Sequence, residues 1–429
     1  MTRKIIKVGY LARVEGEGSL LIRTEGNKVE EVQLKIFEPP RFFEGFLPGR
    51  SYDEAPDITA RICGICPVAY QMSTVHAIED AFGTIIPEHI KQLRRLLYCG
   101  EWIESHMLHI LLLHAPDFLG LPDAMSVAKA HRTQVEAGLR IKKVGNKLIS
   151  TLGGREVHPI NVKTGGFYSL PAVARFKALE DELKWAKDAT HKLLEWVSGF
   201  DFPDLAIDYE FVSLKNSNEY PFNEGSIHSN KGLSIEVRDY EKHFQEQHVE
   251  HSTALHSIRV GHGSYLTGPM ARFSKHFDLL SNDTQQAASE FNVDVACVNP
   301  YRSIQIRTLE VMYAIDEALR IIKIYDDRLA PSVEVAPRAG TGYAATEAPR
   351  GTLYHKFEMN NDGTIKTVKI VPPTSQNQKR IEDDLRRVIT DNIDLAEDKL
   401  THLCEQTIRN YDPCISCATH FLKMTLHRR

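Results

Sequence analysis

Apolar and polar positions change period several times along the chain, and each change predicts an element. Residues 4–37 alternate with a period of two around Glu25-Gly26-Asn27, which predicts a short antiparallel hairpin. After residue 66 the period lengthens. Pro67 opens a helical run to Phe82, and Pro87 opens a longer one through Leu96, Trp102 and Leu111 that Pro116 closes. Residues 123–151 and 171–198, with apolar positions three and four apart, predict two further long amphipathic helices. The link between them, Gly153 to Gly166, is rich in turn residues. Over 200–305 there are strand-like stretches near 205–214 and 233–239 among weak helix signals. Leu309, Met312, Ile315, Leu319 and Ile322 then define a helix over 308–327. Asn361-Asp362-Gly363 marks the turn of a second hairpin, and helices at about 378–390 and 394–409 follow. The sum is an α+β chain, mainly α: a bundle of long helices with small peripheral antiparallel sheets. No repeat, low-complexity tract or linker breaks it, so residues 1–429 read as one domain.

Composition narrows the classes of function. A net charge of −5 gives no reason to expect nucleic acid or acidic lipid as a partner. There is no apolar run long enough to span a membrane, and Met1 to Lys7 is not followed by a signal-peptide core. Seven cysteines, an odd number, argue against a secreted disulfide framework. A soluble cytoplasmic protein is expected.

Four of those cysteines form two pairs at opposite ends of the chain. The first is in Arg61-Ile62-Cys63-Gly64-Ile65-Cys66-Pro67, the second in Asp412-Pro413-Cys414-Ile415-Ser416-Cys417-Ala418-Thr419-His420. Two intervening residues let both sulfurs of a pair turn towards one ion, and four thiolates suit a soft or borderline metal. A structural zinc site is the simple reading, but its ligand pairs usually lie close in sequence. The lone Cys99, Cys297 and Cys404 read as small buried apolar residues. His106, His109 and His114, on or at the end of one helical run, read as core histidines. Taken singly, Glu15 in Arg13-Val14-Glu15-Gly16 and Glu44 in Phe42-Phe43-Glu44-Gly45 read as exposed loop acids. Asp117, beside Pro116 after an apolar face, is a more informative carboxylate.

Both cysteine motifs, with their flanks, resemble those of nickel–iron hydrogenase large subunits. The resemblance extends in order through Arg13-Val14-Glu15-Gly16, Glu44 before Leu47-Pro48-Gly49-Arg50, His114-Ala115-Pro116-Asp117, His158-Pro159 with Gly165-Gly166, Glu347-Ala348-Pro349-Arg350-Gly351, and Val371-Pro372. Cys66 to Met72 is similar to the cytoplasmic NAD(P)-linked, sulfhydrogenase-type branch. Three positions depart from the family pattern: Glu17 and Tyr70 stand where many relatives have His, and Pro373 stands where many have Ser or Thr.

The resemblance implies the hydrogenase large-subunit fold and a Ni–Fe(CN)2CO centre that splits H2 heterolytically and reversibly. Cys63 and Cys414 would be terminal ligands to nickel, and Cys66 and Cys417 would bridge nickel and iron. A ligand sulfur can accept a proton and Glu15 would carry it away, a task for which a partly buried carboxylate is suited. Arg350 would stand over the open metal position, with Asp117 and Asp412 hydrogen-bonded to its guanidinium. Pro372 and Thr374 would lie along the cyanide ligands. Glu44 and His420 would hold Mg2+ with a backbone carbonyl just before Val371 and waters. Residues 421–429 would be a tail removed by a maturation endopeptidase after metal-insertion chaperones have delivered the metals.

No further cysteine cluster is present to hold iron–sulfur clusters, so an iron–sulfur small subunit is a required partner. The resemblance adds further iron–sulfur subunits and a flavin (FAD) diaphorase that hands electrons to NAD(P) or sulfur. Two other readings remain at this level: a metal-free subunit of the complex I type, which normally lacks the four cysteines, and a zinc-stabilised scaffold without catalysis.

Overall fold

Positions that alternate at the N-terminus build a three-stranded antiparallel sheet of β1 (Arg3–Val8), β2 (Gly18–Glu25) and β3 (Lys28–Ile36) in a computed structural model that describes residues 3–38 and 42–419. The predicted hairpin is its β2–β3 half. The loop 9–17 interrupts the alternation and carries Glu15 towards the C-terminal cysteines.

The helical run from Pro67 is α1 (Pro67–Phe82), which ends on Gly83 in the left-handed conformation. The next is α2 (Glu88–Leu108), but Pro116 does not close it. A π-helical turn, His109–His114, and a last helical turn, Ala115–Phe118, continue the path. Pro116 lies in the first turn of that last segment, where its missing N–H costs nothing. The segment 123–151 breaks at His131 into Ala124–Ala130 and α3 (Arg132–Gly153). The segment 171–198 likewise resolves into Val173–Lys177 and α4 (Glu180–Ser198). The helix expected over 308–327 is α5 (Ser303–Ile324). Helix α2 lies between α3 and α5, and α4 covers the outer side of both. Small residues set the α2–α3 approach: a Cβ at Gly145 would stand 2.7 Å from the carbonyl oxygen of Gly100.

Of the strand-like stretch 205–214, only Phe211–Lys215 is strand, and it pairs in parallel with Leu266–Thr267. One small sheet is therefore mixed rather than antiparallel. From 233–239 a two-residue strand, Ser234–Ile235, and a 3-10 turn are formed. The second hairpin is part of a meander of β4 (Gly340–Ala348), β5 (Gly351–Met359) and β6 (Ile365–Val371) that packs on α1. Helix α6 (Pro373–Asp391) starts five residues before its expected start, because Pro373 occupies the first helical turn where proline is favoured. Helix α7 (Glu397–Arg409) delivers the C-terminal segment. A continuous buried apolar cluster runs from Ile6 to Cys417 and includes all four paired cysteines. Among the described residues no helix is long and apolar enough to cross a membrane.

Candidate metal centre

Cys63 ends a 3-10 turn, Ala60–Ile62, and Cys66 is the residue before α1. The N–H groups of Ile65 and Cys66 both point at Cys63 Sγ, at 3.3 Å. The orphan N–H groups in the first turn of α1 are satisfied from inside. Buried Glu101 on α2 accepts from Val68 N at 2.7 Å and from Ala69 N at 3.2 Å. Cys414 precedes the turn Ile415–Ala418 and Cys417 lies within it, each 351 residues after its counterpart in the first pair. The fold closes that gap: Cys63 Sγ is 3.6 Å from Cys414 Sγ, Cys66 Sγ is 3.7 Å from Cys417 Sγ, and Cys414 and Cys417 are 2.9 Å apart. All four sulfurs lie within 4.8 Å of one another, and none is in a disulfide.

This donor set fits a soft or borderline metal cluster. Thiol donors from Cys414, Cys417 and Cys66, with the charge of Arg350, hold Cys63 well below the usual thiol range. Hydrogen bonding within the group, first with Cys417, pushes Cys414 well up. Four thiolates cannot share one buried cage unless cations compensate them, and the Arg350 guanidinium supplies a single positive charge.

Glu15 stands at the open side. The Cys414 thiol donates to its Oε2 at 3.1 Å, as does the N–H of Ser416 at 3.0 Å, and Ile415 N–H donates to the Glu15 carbonyl at 2.9 Å. The adjacent Gly16 has φ +90°, and a Cβ there would meet Ile415 Cβ at 2.7 Å. Only glycine lets this loop approach the cysteine turn so closely.

Arg350 occupies the two-residue turn Pro349-Arg350 between β4 and β5. Buried Arg272 holds that turn, donating to the carbonyls of Ala348 (2.9 Å) and Pro349 (3.0 Å) while paired with Glu310 and Glu347. The Arg350 guanidinium donates to Asp412 Oδ1 at 3.0 Å, to the Asp412 carbonyl at 2.8 Å and to Ser105 Oγ at 3.2 Å. Burial alone would lower its pKa, but Asp412 and the cysteine thiolates outweigh burial and hold it above its ordinary value.

Asp117 does not bind Arg350, contrary to the expectation from sequence. It accepts from Arg409 Nε at 2.7 Å and Nη2 at 2.8 Å, and from Arg13 at 2.5 Å. Burial raises Asp117, yet the two guanidinium groups hold it below the usual carboxylate range. The physical reason lies in chain order: Arg13 is two residues before Glu15, and Arg409 leads into the Cys414 segment. Asp117 therefore clamps the Glu15 loop to the C-terminal arm. The three histidines near it are buried as expected. His109 Nε2 meets the Arg409 carbonyl at 2.8 Å and His114 Nε2 meets Asn410 Oδ1 at 2.9 Å, so both hold the same arm.

Pro372 lies beside Cys417 in a cleft that Ser375 and Glu44 also line. The Thr374 hydroxyl accepts from the N–H of Cys414 at 3.0 Å, so it anchors the second cysteine pair. Glu44 Oε1 accepts from Ile370 N–H at 2.7 Å, which brings it to the end of β6 just before Val371. His420 and the tail 421–429 lie outside the described residues. Sequence reasoning missed Glu101, Ser105, Arg272, Ser375 and Arg409. The only signal for any of them was a charged residue inside an otherwise apolar helix face.

A profile of the "Nickel-dependent hydrogenase" family matches residues 41–139 and 301–420. The chain is similar to sulfhydrogenase 1 subunit alpha of Pyrococcus furiosus, 31% identical over 427 residues that cover 98% of each chain. It is also 26% identical to the NAD-reducing hydrogenase HoxS subunit beta of Cupriavidus necator, over 98% of this chain and 96% of that one. Among solved structures, an NAD+-reducing [NiFe]-hydrogenase in the H2-reduced state superposes with a TM-score of 0.88 at 23% identity, covering 98% of this chain and 100% of the other.

Proposed function

This chain belongs to the nickel-dependent hydrogenase family and is a hydrogenase catalytic subunit; we propose that it oxidises and forms H2 at the four-cysteine centre and exchanges electrons with NAD(P) or sulfur through a partner iron–sulfur small subunit. The observation that carries the site assignment is the contact of Cys414 Sγ with Glu15 Oε2 at 3.1 Å, inside a buried cage of four thiols under Arg350.

Cys63, Cys66, Cys414 and Cys417 would hold the nickel–iron pair. Bound there, that centre supplies the Lewis acidity that polarises H2 for heterolytic cleavage to two protons and two electrons. The remaining work falls to the chain. Cys414 Sγ passes a proton to Glu15, and the bond from Ser416 N–H keeps Glu15 Oε2 aimed at the sulfur. Arg350, fixed by Asp412 and Ser105, presents a permanent positive charge over the site. Pro372 and Ser375 line one cleft with Cys417 and would face the iron and its cyanide ligands, to which the Ser375 hydroxyl could donate. Thr374 acts through Cys414 by binding its backbone N–H. Glu44 would supply one oxygen to a Mg2+ ion, with His420 as a further ligand.

The names of the similar proteins support an electron-transfer partner, and the absence of any further cysteine cluster in the sequence requires one. A flavin diaphorase, cytoplasmic location, and proteolytic maturation after His420 by an endopeptidase belong to the same proposal. Infrared spectroscopy of the purified holoenzyme tests it, with absorption bands of iron-bound CO and cyanide as the expected result. Zinc as the sole metal would overturn it in favour of a scaffold. Glu15→Gln is expected to keep those bands and the nickel content while H2 oxidation falls to near background. Full turnover in that variant would remove Glu15 from the proton path.

A further inference from the structure

Outside the cysteine cage, the described residues contain one other group able to surround a metal: His251, His256 and Glu382. They come from three places in the chain. His251 lies in the loop before the strand His256–Arg259, His256 opens that strand, and Glu382 is on α6. One donor atom from each lies within 4.8 Å of the others. His251 Nε2 is 2.8 Å from Glu382 Oε1, and His256 Nδ1 is 3.9 Å from Glu382 Oε2.

Hydrogen bonding accounts for only part of this arrangement. Oε1 of Glu382 is satisfied, since it also accepts from Leu34 N–H at 2.9 Å. Oε2 faces His256 at a separation too long for a hydrogen bond. His256 is 2% exposed, and its other nitrogen, Nε2, is buried without a partner among the described residues. That orphan does not itself mark the site; Nδ1, the nitrogen facing Glu382 Oε2, is the atom a shared ion would bind. Burial also holds His256 below its ordinary value, which favours the neutral form that a metal ligand needs.

We propose that His251, His256 and Glu382 form a binding site for a divalent first-row transition ion, separate from the cysteine centre. Two imidazoles and one carboxylate are a donor set for zinc, iron or nickel rather than for magnesium, which prefers oxygen ligands and retained water. Ligand bonds of about 2.0–2.1 Å place donor atoms roughly 3.3 Å apart in a tetrahedral site, so the observed separations need only side-chain adjustment. Leu34 N–H orients the carboxylate, as the outer partner of a ligand does. The position gives the ion a purpose. Ala254, between the two histidines, pairs with Thr419 just beyond the second cysteine pair, and α6 carries Thr374 to Cys414. An ion here ties β3, α6 and the 251–256 loop together beneath the C-terminal arm.

The test uses the EDTA-dialysed holoenzyme, titrated with Zn2+ and examined by metal analysis and zinc-edge X-ray absorption. The expected result is one zinc per chain beyond the nickel and iron, with a first shell of nitrogen and oxygen only. In His251→Gln, whose side chain is part-exposed, zinc affinity is expected to fall at least tenfold while nickel, iron, magnesium and H2 turnover stay unchanged. His256→Gln should lose the same zinc. No zinc uptake, a sulfur-containing shell, or equal uptake in His251→Gln would each overturn the site.

Discussion

The two cysteine pairs have the same spacing but are held in different ways. Cys63 and Cys66 are part of the scaffold: they lead directly into α1, and the buried Glu101 of the neighbouring α2 caps the first turn of that helix. Cys414 and Cys417 sit on a four-residue turn with little structure of its own. It is positioned from outside by Glu15, Thr374 and the Arg13–Asp117–Arg409 clamp. One pair is a product of helix packing, the other of polar contacts made by remote segments. The second half of the cage therefore depends on contacts with segments distant in the chain, whereas the first half depends on the helix it opens.

The most drastic way to break this comparison is to remove a ligand. Cys63→Ser and Cys414→Ser are both expected to reduce H2 turnover to background, measured alongside nickel content. Only the second should leave the thermal stability of α1 and α2 unchanged, as read by hydrogen exchange. Next comes the clamp. Arg409→Leu leaves Asp117 buried with Arg13 alone, and breaking such a buried pair costs about 3–5 kcal/mol. Urea unfolding and protease sensitivity near residue 410 should both report it. Arg13→Leu together with Arg409→Leu should cost more than either change alone, because Asp117 is then a buried charge without a guanidinium partner.

Acid sharpens the contrast at a smaller scale. Burial pushes His106 down to about 4, and it lowers His109 and His114 well below the ordinary histidine range. In the unfolded chain these rings bind protons near pH 6.5, whereas in the fold they do not. Their depressed folded values mean that stability is held above pH 6.5 and lost as pH falls below it, for His106 by roughly 2–3 kcal/mol as pH approaches 4. Because His109 and His114 grip residues 409 and 410, hydrogen exchange should rise in the C-terminal arm before it rises in α1. Equal onset in both would contradict the distinction. The smallest effect is expected from Glu101→Gln. It keeps one acceptor oxygen at the start of α1 and should cost about 1 kcal/mol of stability, with nickel content unchanged.

Much of the scaffold was legible because its signals are local. The run Pro67–Phe82 shows its proline start and its glycine stop, and Asn361-Asp362-Gly363 marks a real hairpin turn. Boundaries differ at two prolines that occupy first helical turns: Pro116 reads as a stop in the sequence, and the helix expected from about 378 begins at Pro373. Asp117 was placed with the wrong arginine for a different reason. Arg350 and Arg409 both lie within reach of the C-terminal arm, and nothing local distinguishes them. A partner 292 residues away is selected by packing, which brings Arg409 rather than Arg350 against the last turn after α2. Nor does any motif announce that Arg272 holds the turn of Arg350, or that His251, His256 and Glu382 converge.

The sequence by itself determined the donor chemistry: four soft sulfurs in two pairs, a glutamate beside glycines, an arginine after a proline. These are properties of residue types and short spacings, and they survive whatever the chain does between them. The tertiary structure alone decided which acid meets which base, because buried charges are tolerated only in pairs and the pairing partners come from distant helices. It also decided that the first cysteine pair is rigid scaffold and the second is a docked arm, since rigidity here comes from neighbours rather than from the motif.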